Sequence, residues 1–126
     1  LHIDPTTLFL VWFGGGSVIF LAWAALVGQA LMGERPGAVR PAIGILAAIG
    51  ILHPAAAASA IDLARLGRQL GEPTSDDAVD PAVREARRAR AQAVALPSSA
   101  EKAVYGCAAV SLVVAIAAFS QAGGLL

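Results

Sequence analysis

The hydrophobic positions fall in three long runs, separated by polar intervals at residues 34–40 and 62–102. The runs from Pro5 to Gly33, Pro41 to Ile61 and Ala103 to Leu126 contain no Asp, Glu, Lys or Arg. Each reaches the roughly 20 residues that an α-helix needs to cross a hydrocarbon core of about 30 Å. A helix suits that environment because its backbone hydrogen bonds close within the segment. The pattern predicts an all-α integral membrane protein forming a single membrane domain. It has three transmembrane helices, at about 5–32, 41–70 and 98–124. A short cytoplasmic or interfacial helix lies between the second and third, in a connector of about 71–97.

Local signals set the ends of these elements. Asp4 can cap a helix whose first position is Pro5. Gly33 and the "ERPG" after it stop that helix. The turn "GERPGAVRP" is short, so the first two helices form an antiparallel hairpin. The second run contains His53–Pro54 and continues past its apolar limit to about Leu70, where Asp62 and Arg65, three apart, can pair at the interface. "GEPTSDD" ends it. In "DPAVREARRARAQAVAL", Asp80 is an N-cap before Pro81, and alanine and arginine favour helix. The apolar side of that helix (Val83, Ala86, Val94, Leu96) is weak. Ser98 and Glu101 match a capping box that opens the third span. No internal repeat is present.

Composition supports the membrane reading. The chain is 57% hydrophobic and 14% charged, with a mean hydropathy of +0.70. An ordinary soluble domain carries about 25% charged residues. A soluble bundle would need polar helix faces that this chain lacks. The formal net charge is zero, so no basic field points to nucleic acid. The one cysteine allows neither an intramolecular disulfide nor a cysteine-based metal cluster. The first run is too long for a signal-peptide core and lacks a basic leader, so it reads as a retained span. Most of the nine basic residues lie between Arg65 and Lys102. The positive-inside rule then places the 62–102 connector in the cytoplasm of an inner (plasma) membrane protein. With three spans, the N-terminus is cytoplasmic too and the C-terminus lies on the opposite side.

His53 is the first candidate site, because an ionisable group inside a membrane is a functional hypothesis by default. It could ligate haem or a chlorophyll-type pigment, contact a quinone or relay a proton. A bis-histidine haem would need His2, at the chain end. The competing reading is structural. Pro54 has no N–H, so the carbonyl of Gly50 loses its helical donor. His53 then marks a bend and hydrogen-bonds to a neighbouring helix.

The remaining candidates concern packing and charge. Small residues mark helix-packing faces: Gly14, Gly15 and Gly16 with Ser17, Gly44 and Ala48, the "AAAASA" of residues 55–60, and Ala103, Cys107, Ser111 and Ala115. One chain cannot use all of these against itself, so some face other integral-membrane subunits. Leu8, Phe9, Trp12, Phe13 and Phe20 then face lipid or cofactor tails. Trp12 and Trp23 loosely resemble an interfacial belt. Arg84, Arg87, Arg88 and Arg90 suit anionic lipid headgroups, a partner protein or a solvated face that only sets topology. No nucleophile stands with a base, and no metal or phosphate motif appears. The chain therefore does not read as an enzyme, and no cofactor is required.

"HIDPTTLFLVWFGGGSVIFLAW" (residues 2–23) resembles the second membrane helix of flagellar-stator-type proton-channel proteins, with its Asp-Pro entry, apolar run and Gly-Gly. "PAIGILAAIGIL" (residues 41–52) is similar to the pore-lining helix of that family. The resemblance implies an oligomeric proton- or ion-channel component and carries over no functional residue. The leading expectation is a small non-catalytic accessory subunit of a larger bacterial-type inner-membrane complex, energy-transducing or transporting. The second is a cofactor-binding membrane anchor using His53.

Overall fold

The computed structural model describes residues 4–72 and 80–123, and every element in them is helical. The elements are α1 (Pro5–Met32), a 3-10 turn (Pro36–Ala38), α2 (Val39–Gly50), α3 (Pro54–Leu70), α4 (Pro81–Val94) and α5 (Ser98–Ala122). Asp4 caps α1 as expected, its carboxylate accepting from the Thr7 amide. Asp80 caps α4 in the same way, through the Ala82 amide. The capping box expected at Ser98 does not form. Pro97 is the N-cap of α5, without a side-chain bond, and Glu101 turns instead to Arg68. α3 ends at Leu70 with Gly71 as its C-cap, as expected at the start of "GEPTSDD", and α5 ends at Ala122, two residues short of the expected 124. Residues 73–77 of that break, Gly124 and His2 lie outside the described residues.

Two helices, rather than three, are long and apolar enough to cross a membrane: α1 and α5. The middle run is not one helix of residues 41–70. It stops at Gly50, and the chain reverses through Ile51, Leu52 and His53. The expected bend is thus a full turn-back. Its cause is local. Pro54 has no amide to continue the ladder, and its ring drives the residue before it out of the helical region. His53 accordingly sits at φ −135°, ψ 112°. Gly50 then lets the two helices close on each other. A Cβ there would lie 2.7 Å from both the Cα and the amide nitrogen of Ala57.

The same hairpin is tied at its open end. Arg40, at the start of α2, bonds to the carbonyls of Gln92 and Ala95. Gly67, near the end of α3, packs on Val94 and Ala95. So α2 descends and α3 climbs back to the same level, an antiparallel αα-hairpin with a short connection. α1 runs parallel to α3, with His53 beside Val11 and Asp62 beside Trp23. α5 descends again until Phe119 meets Trp12.

This arrangement sets the helix ends differently from the three-span expectation. The first residues of α1 and the last of α5 meet in one cleft, lined by Pro5, Phe9, Phe119 and Gly123. α4 sits at the other end, against the last turn of α1. The start of α1 and the 62–102 connector therefore lie at opposite ends of the molecule. The three-span reading had placed them together.

Packing changes character along the hairpin. Toward α4 the fully buried side chains are branched: Val39, Ile43, Leu63 and Val94. Beyond Leu46, toward the tip, the buried residues shrink to Ala47, Gly50, Ala56, Ala57 and Ala60. Small residues suit close backbone approach where surrounding lipid offers no hydrophobic drive.

Candidate functional site

The reversal at His53 brings together three of the predicted site residues, His53, Gly15 and Gly16. Every amide from Ile51 to Ala57 is accounted for. Ile51 donates to Ala48 O, while Leu52 and His53 both donate to Ile49 O. Pro54 has no amide, Ala55 donates to His53 Nδ1 at 3.2 Å, and Ala56 and Ala57 donate to His53 O. The imidazole is thus the N-cap of α3. Its other nitrogen, Nε2, lies 3.3 Å from the carbonyl of Val11 on α1. Because Nδ1 accepts, Nε2 must carry the proton and donate to Val11, which fixes the tautomer. Both ring nitrogens are engaged within the chain, and the side chain is buried. A haem, a pigment or a quinone would have to displace one of these bonds. Among the described residues no group of His, Cys, Asp and Glu could hold a metal ion.

Gly15 and Gly16 form the seat for this ring. A Cβ on Gly15 would stand 3.2 Å from His53 Nε2, and one on Gly16 would touch His53 and Ala55. Gly14 points to open space. The "GGG" predicted as a packing face is thus used at two positions, and its contact is an imidazole rather than another backbone. Trp12 lies 6.4 Å from the imidazole and meets Phe119 edge-on at 4.6 Å, so it joins α1 to α5. Phe9, Phe13 and Phe20 are exposed, as expected of lipid-facing residues, whereas Leu8 is half-buried.

Gly44, Ala48 and Cys107 come together elsewhere. With Ala103 they line an open apolar groove of about 530 Å3 between α2 and α5, with Arg40 at its end. Nothing lies within 4 Å of a Cβ placed on Gly44. Ala115 is half-buried on α5. Ser111 is buried, and its hydroxyl has no hydrogen-bond partner among the described residues.

Asp62 and Arg65 do not pair. Asp62 accepts from the indole N–H of Trp23 at 2.6 Å. Both residues are exposed, and the one ion pair among the described residues joins Arg68 to Glu101 at 2.9 Å. The arginines expected to form one basic cluster have separate duties. Arg90 donates to the carbonyls of Gln29 and Ala30, in the last turn of α1. Arg40, which was not part of the expected cluster, does the same for the end of α4. A cation at a helix C-terminus satisfies orphan carbonyls and opposes the negative end of the helix dipole. Arg84 and Arg88 remain exposed, and Arg87 is half-buried. Sequence reasoning missed both arginine caps. Their partners are backbone carbonyls 52 to 61 residues away in the chain, which carry no side-chain signature.

No family model, curated protein or solved structure matches this chain.

Proposed function

We propose that this protein is a small, non-catalytic subunit of a larger inner-membrane assembly, docking on its partner through the groove between α2 and α5. The observation that carries the reading is the groove itself. Two helices present small residues there, Gly44 and Ala48 from one side, Ala103 and Cys107 from the other, without filling the space between them. Such surfaces admit a neighbouring helix at close range. The groups able to do chemistry are instead spent on the fold: His53 on two hydrogen bonds, Asp62 on Trp23, and Arg40 and Arg90 on helix ends. Arg35 and Arg40 lie at the α4 end with the connector arginines and Lys102, so the positive-inside rule puts that end in the cytoplasm. On this reading α2 and α3 form a re-entrant hairpin that enters and leaves on the cytoplasmic side.

The test is native mass spectrometry after gentle detergent extraction. The wild-type chain is expected to carry integral-membrane partners, and Gly44→Leu, whose Cβ meets nothing within 4 Å and whose branched end occupies part of the groove, is expected to release them. A wild-type chain that extracts as a bare monomer while remaining fully active would overturn the proposal.

A further inference from the structure

The open face of α3 differs from every other surface of the two spans and the hairpin. Ala58, Asp62, Arg65 and Gln69 are exposed, spaced four, three and four apart. That is the spacing of a helix–helix seam, at which two helices pack about 20° from parallel. The exposed large apolar residues lie on α1, on α2 and its tip, on α4 and on α5, and none lies on α3. Phe9, Phe13 and Leu21 dress α1 for lipid, as Leu112, Val113 and Ile116 dress α5. The α3 stripe offers lipid only a methyl group, a carboxylate, a guanidinium and an amide. Asp62 keeps one carboxylate oxygen beyond its bond to Trp23, and Arg65 makes no polar contact among the described residues.

We infer that this stripe is the interface for a second copy of the same chain, a two-fold dimer in which Asp62 of each copy pairs with Arg65 of the other. The inference shares the packing-subunit reading above but uses a different face. Two copies in one membrane with the same orientation are related by an axis along the membrane normal. Their α3 helices then run side by side at equal height. Asp62 and Arg65 are offset by about 4.5 Å along the helix, at 1.5 Å per residue, which an arginine side chain spans. The contact is isologous: each copy supplies one acid and one base, and both pairs form at once. A leucine-rich partner helix would leave all four charges of two such copies uncompensated at the hydrocarbon edge.

The experiment is disulfide trapping in native membranes, with Cys107→Ala as background and Ala58→Cys as probe. Position 58 faces its own copy across the axis, so a copper-phenanthroline oxidant is expected to give a band of two chains. Asp62→Arg and Arg65→Asp, made singly, should each lower the dimer constant by at least about tenfold, because each loses two pairs of roughly 0.6 kcal/mol and sets like charges against each other in their place. The double variant Asp62→Arg/Arg65→Asp restores complementarity and should recover the band. Asp62→Asn, which still accepts from Trp23, separates loss of charge from loss of the indole bond and should weaken trapping as well. Absence of the band, trapping of a different protein, or no recovery in the double variant would overturn the dimer. The groove reading stands or falls separately, on Gly44→Leu.

Discussion

His53 holds the reversal from both sides, and its two bonds can be removed one at a time. His53→Ala loses the cap on α3, worth about 1 kcal/mol. It also loses the bond to Val11, worth about 0.6 kcal/mol by the average for such contacts in lipid. His53→Asn keeps an acceptor for the Ala55 amide but cannot reach α1, so it should recover roughly 60% of the loss. Unfolding in mixed detergent micelles reads both, and equal losses for the two variants would show that capping is not what His53 does. Gly50 is less forgiving. Gly50→Ala puts a methyl group against backbone atoms of Ala57 at 2.7 Å, and backbone cannot swing aside. Overpacking of this kind costs about 1–3 kcal/mol. Gly44→Ala, which meets nothing within 4 Å, should stay within about 0.5 kcal/mol of wild type. Ser111→Ala removes a buried hydroxyl that has no hydrogen-bond partner among the described residues, so it should be neutral or stabilising in the same assay.

At the scale of elements, α4 is fastened by arginine–carbonyl bonds more than by its apolar side. Only Ala91 and Val94 of that helix are buried. Arg90→Gln should loosen α4 from α1 by about 1–2 kcal/mol, the upper range for a cation at a partly buried helix end. Hydrogen exchange at residues 81–94 should then quicken while α1 and α5 stay protected; unchanged exchange would assign the docking to Val94 instead. The Arg68–Glu101 pair is half open to solvent on the arginine side, so Glu101→Gln should cost no more than about 1 kcal/mol, and less in high salt. The elements differ in how far the sequence revealed them. The ends of α1 and the start of α4 were legible because Asp-Pro and Gly act through their own backbone. His53–Pro54 announced an interruption, but whether the chain bends or turns back depends on Gly50 meeting Ala57, a contact that exists only after folding. Ser98 and Glu101 were misread for a related reason. The capping box is a local pattern, and Arg68, 33 residues earlier, competes for the same carboxylate.

For the whole molecule, the reversal at residues 51–53 decides the topology. A single helix over residues 41–70 would carry the chain across the membrane, leaving Glu34 and Val83 on opposite sides and Thr6 on the same side as Val83. The hairpin instead returns the chain to the level it left. Glu34 and Val83 then share one side, and Thr6 shares the other with Gln121. Its tip carries Leu52, 71% exposed and flanked by bonded amides, a surface suited to lipid contact at depth. Single cysteines at these five positions, in a Cys107→Ala background, discriminate the two arrangements with a membrane-impermeant thiol reagent. The expected result is labelling of Thr6→Cys and Gln121→Cys in intact cells. On the proposed orientation, in which the positive-inside rule assigns the basic end to the cytoplasm, Glu34→Cys and Val83→Cys should label only after permeabilisation. If the proposed re-entrant hairpin holds, Leu52→Cys should resist the reagent in both conditions. Labelling of Glu34→Cys and Val83→Cys from opposite sides would restore the third span and remove the hairpin from the membrane-embedded protein.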